Sequence, residues 1–170
     1  MLNLYKLHNE KLDYYEKYNN ALELLDIRLT HYGTFEPGDA SVLKNVLHII
    51  KREPNLAYRY ADIIIKGRWA EVESTIMKDP LHAYAYALDI IKGRWAEAES
   101  YILKDTKFAF YYARDVIKGR WKEVEADIIT NPLLARDYAE NVIKERWIEA
   151  ELIIKTNNYQ WGLYCRTFSL

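Results

Sequence analysis

Four tryptophans, Trp69, Trp95, Trp121 and Trp147, stand 26 residues apart, each inside nearly the same words: IKGRWAEVE, IKGRWAEAE, IKGRWKEVE and IKERWIEAE. A Tyr-Ala pair precedes each of them, at Tyr60-Ala61, Tyr86-Ala87, Tyr112-Ala113 and Tyr138-Ala139, and the same step leads on to Tyr164-Cys165. A fixed period over this many copies constrains the fold more than any local motif. One such unit cannot bury its apolar face alone, so neighbours must stack to make a core.

Each unit reads as two short helices. The first opens at Asp79-Pro80 or Asn131-Pro132, an acceptor side chain followed by a proline whose missing N–H is harmless in the first turn. Ala57, Tyr60, Ala61, Ile64 and Ile65 then follow the spacing of one helical face. Gly67, Gly93 and Gly119 are placed at the end of this helix, in the left-handed conformation. The second helix carries Trp69, Val72, Ile76 and Met77 on one face, with Glu71 and Glu73 in its first turn, where the helix dipole favours negative charge. Helices this short are marginal alone, so stability must come from stacking. The expected fold is all-α: a right-handed α-α solenoid of 26-residue helix-turn-helix repeats, with the tryptophans in its core.

The units start near residues 54, 80, 106 and 132, and a closing helix runs from 158, so the array occupies residues 54–170. Residues 1–53 depart from the pattern and read as an N-terminal helical cap. A helix is expected from Leu4 to Leu29, broken at Gly33 and at Glu36-Pro37-Gly38-Asp39. The stretch from Ser41 to Pro54 matches the second helix of a unit, with Leu43, Val46 and Ile50 in the places of Trp69, Val72 and Ile76. This degenerate half-repeat suits the end of an array, where an apolar face must be covered.

The net charge of −1 argues against a polycation working on nucleic acid as a whole, although local basic patches remain compatible with it. One cysteine, Cys165, makes neither an internal disulfide nor a Cys-based zinc site, which fits a reducing, cytoplasmic setting. It stands in an Ala place and is expected in the core as a small hydrophobe. The first residues, MLNLYKLHNEKLDYYEKY, interrupt every apolar run with charge or Asn, unlike a signal peptide. No apolar run approaches the roughly 20 residues a membrane span requires.

The tandem YA-x4-IKGRW-x-E-x-E pattern from Tyr60 onward resembles the short helical repeats of bacteriophage and giant-virus proteins, and is distantly similar to Tyr-Ala-rich repeats of some bacterial effectors. The resemblance covers roughly residues 54–168. It implies a viral protein acting in the cytoplasm of a host cell, as an inhibitor that occupies a host defence or regulatory protein. No residue role comes with it.

No catalytic constellation is visible, and the chain reads as a non-enzyme. His8, His31, His48 and His82 lack ligand spacing, and no Gly-rich phosphate loop or nucleophile motif is present, so neither metal nor cofactor is expected. Lys66, Lys92, Lys118 and Lys144, with Arg68, Arg94, Arg120 and Arg146, form a basic ladder. Functionally it would track phosphates. Structurally, the lysines complement helix C-termini and the arginines pair with Glu71-type residues at i+3 or with the next unit. Partner-specific information should lie where the repeats differ at exposed positions. These are Tyr58, Tyr84, Phe110 and Arg136 in one column, with Tyr111 and Arg114 nearby. Aromatic residues and arginine together are the composition of protein-binding hot spots. The leading expectation is therefore a scaffold that binds another protein through this first-helix surface. The alternatives are a nucleic-acid binder using the ladder and an assembly subunit that forms a homo-oligomer through its last helix.

Overall fold

The computed structural model describes residues 46–170 together with Asp13, Glu16, Lys17 and Asn19, and among these residues all regular structure is helical. Asp13, Glu16, Lys17 and Asn19 are helical, with Lys17 paired to Asp13 one turn back at 2.8 Å; the rest of the helix expected over Leu4–Leu29, its break near Gly33 and the place of Leu43 lie outside the described residues. After helical residues 46–50 come α1 (Pro54–Tyr60), α2 (Ala70–Ile76), α3 (Pro80–Tyr86), α4 (Ala96–Ile102) and α5 (Thr106–Tyr112). They are followed by α6 (Lys122–Ile128), α7 (Pro132–Tyr138), α8 (Ile148–Ile154) and α9 (Asn158–Phe168). The first helix of each pair runs on into a π-helical turn: π1 (Ala61–Ile65), π2 (Ala87–Ile91), π3 (Ala113–Ile117) and π4 (Ala139–Ile143).

Helix starts follow the capping logic of the sequence. The Asn131 side chain accepts from the amides of Leu133 and Leu134, and Asp79 accepts from that of His82. Asp105 and Asn157 do the same for α5 and α9. The helix ends differ from expectation. Gly67, Gly93 and Gly119 do not have positive φ; Lys66, Lys92, Lys118 and Lys144 do, at 55°, 58°, 58° and 61°. The π turn moves the reversal one residue earlier, so that the amides of Lys66 and Gly67 both close on the Ala61 carbonyl. The left-handed conformation costs a non-glycine residue about 1–2 kcal/mol, and here four lysines adopt it. A Cβ at Gly67, Gly93 or Gly119 would meet open space, and the fourth unit carries Glu145 at the same place. The wider turn also rotates its last residue off the buried face, leaving Ile65 40% exposed.

The chain divides into two compact units, residues 1–82 and 83–170. In the first, Val46, Ile49, Ile50 and Leu56 form a buried cluster against which Tyr60, Ile63, Ile64 and Trp69 pack. Val46 and Ile50 thus occupy core positions. Lys51 lies 5.9 Å over the Trp69 ring and pairs with Glu71 at 2.6 Å. That contact holds the Glu71 carboxyl below its ordinary range.

In the second unit Trp95, Trp121 and Trp147 are buried, with Ala87, Ala98, Ala113, Ala139 and Ala150 fully enclosed around them. Large and small residues alternate as close packing requires. Cys165, expected in the core, is only partly buried.

Candidate interaction surface

Most of the repeated polar residues are consumed by one recurring cluster. A tryptophan at the start of a second helix cannot cap it, because an indole only donates. Its own backbone N–H is taken from outside, by a phenol of the following first helix. Trp95 donates to Tyr112 Oη at 2.6 Å, Trp121 to Tyr138 at 2.7 Å and Trp147 to Tyr164 at 2.7 Å. The Tyr112 hydroxyl donates in turn to Glu99 at 3.2 Å, and the same carboxylate receives Arg94 through Nε and Nη2 at 2.8 and 2.9 Å. Arg120 grips Glu125, and Arg146 grips Glu151, in the same way. Burial raises the Tyr112 and Tyr138 phenols to about 12 and also pushes Tyr164 up. Within the first unit Arg68 pairs with Glu73. The arginines therefore meet the glutamate at i+5, not the Glu71-type residue at i+3. The pair spans the junction between turn and helix, where helical neighbour spacing does not apply.

The arginine half of the ladder is thus neutralised one by one. Lys92, Lys118 and Lys144 are exposed and make no ion pair among the described residues.

The variable column is less exposed than its composition suggests. Phe110 is 3% exposed, with its ring against Tyr138 and Tyr111, because the next first helix covers it. Arg136 is enclosed too. It pairs with Asp137 and Glu140 at 2.6 Å each and donates to Gln160 at 2.7 Å, tying α7 to α9. Tyr58 lies in the first unit, half-buried beside His82.

The remaining three residues come together. Tyr84 donates to Asp115 at 2.7 Å, and Arg114 donates to the same carboxylate through Nε and Nη2 at 2.7 and 2.8 Å. The guanidinium lies 4.9 Å over the Tyr111 ring, and Tyr84 and Tyr111 face each other at 6.0 Å. The Arg114 contact holds the Asp115 carboxyl below its usual range, while burial and that carboxylate push the Tyr84 phenol up.

This network forms one wall of a concave surface. A cleft of about 510 Å³ is lined by Leu88, Arg114, Asp115, Lys118, Asn141 and Lys144. Beside it a smaller one of about 190 Å³ is lined by Leu88, Lys92, Gly93, Asp115, Val116 and Lys118. Both run along the edge where π2, π3 and π4 pack on one another. Residues from the partner-binding set and from the basic ladder thus share one site. Asp115 and Asn141 were not singled out in the sequence; the column carrying Asp89, Asp115 and Asn141 was the available signal. Among the described residues no three His, Cys, Asp or Glu side chains form a group that could hold a metal ion, and no helix is long and apolar enough to cross a membrane.

The described chain is an all-helical protein built from recurring helix pairs with a cleft along their first-helix edge. Comparison with protein-family models, with curated proteins and with solved structures finds no match.

Proposed function

We propose that this protein is a non-enzymatic scaffold that binds another protein along the first-helix edge of residues 83–170. In this reading the pairs stack as a right-handed solenoid with the 26-residue period of the sequence. The observation that carries it is the 510 Å³ cleft on which Arg114, Lys118 and Lys144 converge, while the repeated arginines, the second glutamates and the buried tyrosines are engaged with one another and with the tryptophan backbone. A concave edge with an aromatic-backed arginine and exposed cations suits recognition more than turnover. That the partner is a host protein, as the resemblance to viral repeats implies, is the narrower form of the same proposal.

A photo-crosslinking residue placed at Asn141, and separately at the exposed Ser100 as control, tests it in the cells where the chain works. One protein adduct from position 141 that is absent from position 100 and weakened by Arg114→Ala is expected. Equal adducts from both positions, or none, refute the proposal.

A second reading has one specific observation in its favour. Ile148 and Leu152 are 69% and 76% exposed on α8, where the other units carry Ala70 and Ser74, Ala96 and Ser100, or Lys122 and Ala126. This apolar pair in the last unit suits an assembly contact. Sedimentation of the full chain with and without Ile148→Lys and Leu152→Ser tests it, and an unchanged mass removes it.

A further inference from the structure

The lysines of the first-helix edge differ from every other repeated residue. Each holds a left-handed backbone, and Lys92 and Lys118 do so immediately before a glycine that could have held it without strain. The helix dipole accounts for a cation at this end. It does not account for the division of labour between neighbours. Arg94, Arg120 and Arg146 are matched to Glu99, Glu125 and Glu151. By contrast, Lys118 lines both clefts, Lys92 the smaller and Lys144 the larger, without a counter-ion among the described residues. Leu88 and Val116 give the clefts an apolar wall, and the Asp115 carboxylate is already held by Arg114 and Tyr84.

We infer that this edge binds an extended acidic segment of a partner protein, one carboxylate to each of Lys92, Lys118 and Lys144, with the residues between resting on Leu88 and Val116. The inference rests on the scaffold reading above and adds the chemistry of the partner. Helices in contact lie roughly 8–10 Å apart, and three residues of a polyproline-II chain rise roughly 9 Å and return the side chain to the same face, so an acidic residue recurs at every third position of the ligand. A nucleic-acid strand suits the edge less well. Residues 83–170 carry thirteen basic and thirteen acidic side chains, so attraction is confined to the few unpaired lysines, which match a few spaced carboxylates better than the continuous charge of a phosphate backbone. The Tyr84 and Tyr111 rings are engaged with each other and with Arg114 rather than left as stacking platforms.

Fluorescence anisotropy on the full chain tests the inference. The probe is a labelled peptide of four Glu-Thr-Val copies, compared with its Gln-Thr-Val counterpart and with an oligothymidylate. The glutamate peptide is expected to bind, more weakly as salt rises, and the glutamine peptide not to bind. Lys118→Gln should weaken binding up to about fivefold and the triple change at Lys92, Lys118 and Lys144 more than tenfold. Arg120→Gln should leave it unchanged, and circular dichroism should show each variant folded. Equal binding of the two peptides, or undiminished binding by the triple variant, overturns the inference. Lysine-dependent binding of the oligothymidylate without the peptide overturns both the inference and the scaffold reading. If no probe binds at low salt, the acidic segment is ruled out, and crosslinking from Asn141 decides the scaffold reading separately.

Discussion

The phenol that reaches from one helix pair to the preceding one is the contact on which stacking depends, and Tyr138→Phe isolates it. Tyr138 is fully buried and accepts the Trp121 amide at 2.7 Å; its own hydrogen has the Trp121 carbonyl at 3.3 Å and Glu125 at 3.4 Å. Phenylalanine keeps the ring and its packing against Trp147 at 5.3 Å, so no cavity forms. What is lost is the acceptor of an amide on a residue only 3% exposed. An orphaned buried donor costs about 1–3 kcal/mol, and a loss of about 2 kcal/mol is expected. For a chain of this length that lowers Tm by about 4–8 °C. Urea unfolding followed by tryptophan fluorescence and by circular dichroism should give the same loss at unchanged m-value. The pH dependence carries the same signature. The folded phenol titrates at about 12 against 10.0 for an ordinary tyrosine, so above pH 10 the unfolded chain loses the proton first. Stability from this group is fully present below pH 10 and declines as pH rises towards 12. Tyr138→Phe should flatten part of that decline. A variant within about 0.3 kcal/mol of the parent, with an unaltered alkaline slope, would refute the reasoning, because it would mean that the Trp121 amide finds another partner.

Four further outcomes are expected. Lys118→Gly should stabilise by about 0.5 kcal/mol in urea titration, relief of the left-handed strain exceeding the added freedom of the unfolded chain. Gly93→Ala should also stabilise, by about 0.4–1 kcal/mol, since neither φ nor space opposes a methyl there; destabilisation would contradict the placement of the turn at Lys92. Arg120→Gln should cost less than about 1 kcal/mol because its side chain is 43% exposed, and a larger loss in the same assay would show the pair to be essential. Ile148→Lys with Leu152→Ser should leave stability within about 0.5 kcal/mol by thermal melting, as both side chains lie mostly in solvent.

Much of the core was readable in advance because periodicity reports directly on which side of a helix is dry. Trp95, Trp121 and Trp147, the Ala places beside them and the Val46–Ile50 stretch all follow from spacing alone. Asn131-Pro132 announced a helix start because capping is a local affair between neighbouring residues. Of the candidate site, Tyr84, Tyr111, Arg114, Lys118 and Lys144 stood out as variable aromatics, arginine or a basic row. Asp115 and Asn141 did not, for an acidic or amide residue on a helix carries no mark of the partner it meets. The left-handed conformation falls on the lysines and not on the neighbouring glycines, a difference composition does not show because nothing in it distinguishes a π turn from an α turn.

Local pattern, then, determined which residues alternate, where helices begin and which faces must be shielded, since these depend on separations of three or four along the chain. Tertiary packing alone decided that Phe110 and Arg136 are covered while Lys118 and Lys144 stand open. Those outcomes turn on distances of a few ångströms between one helix pair and the next, which repetition along a line does not specify.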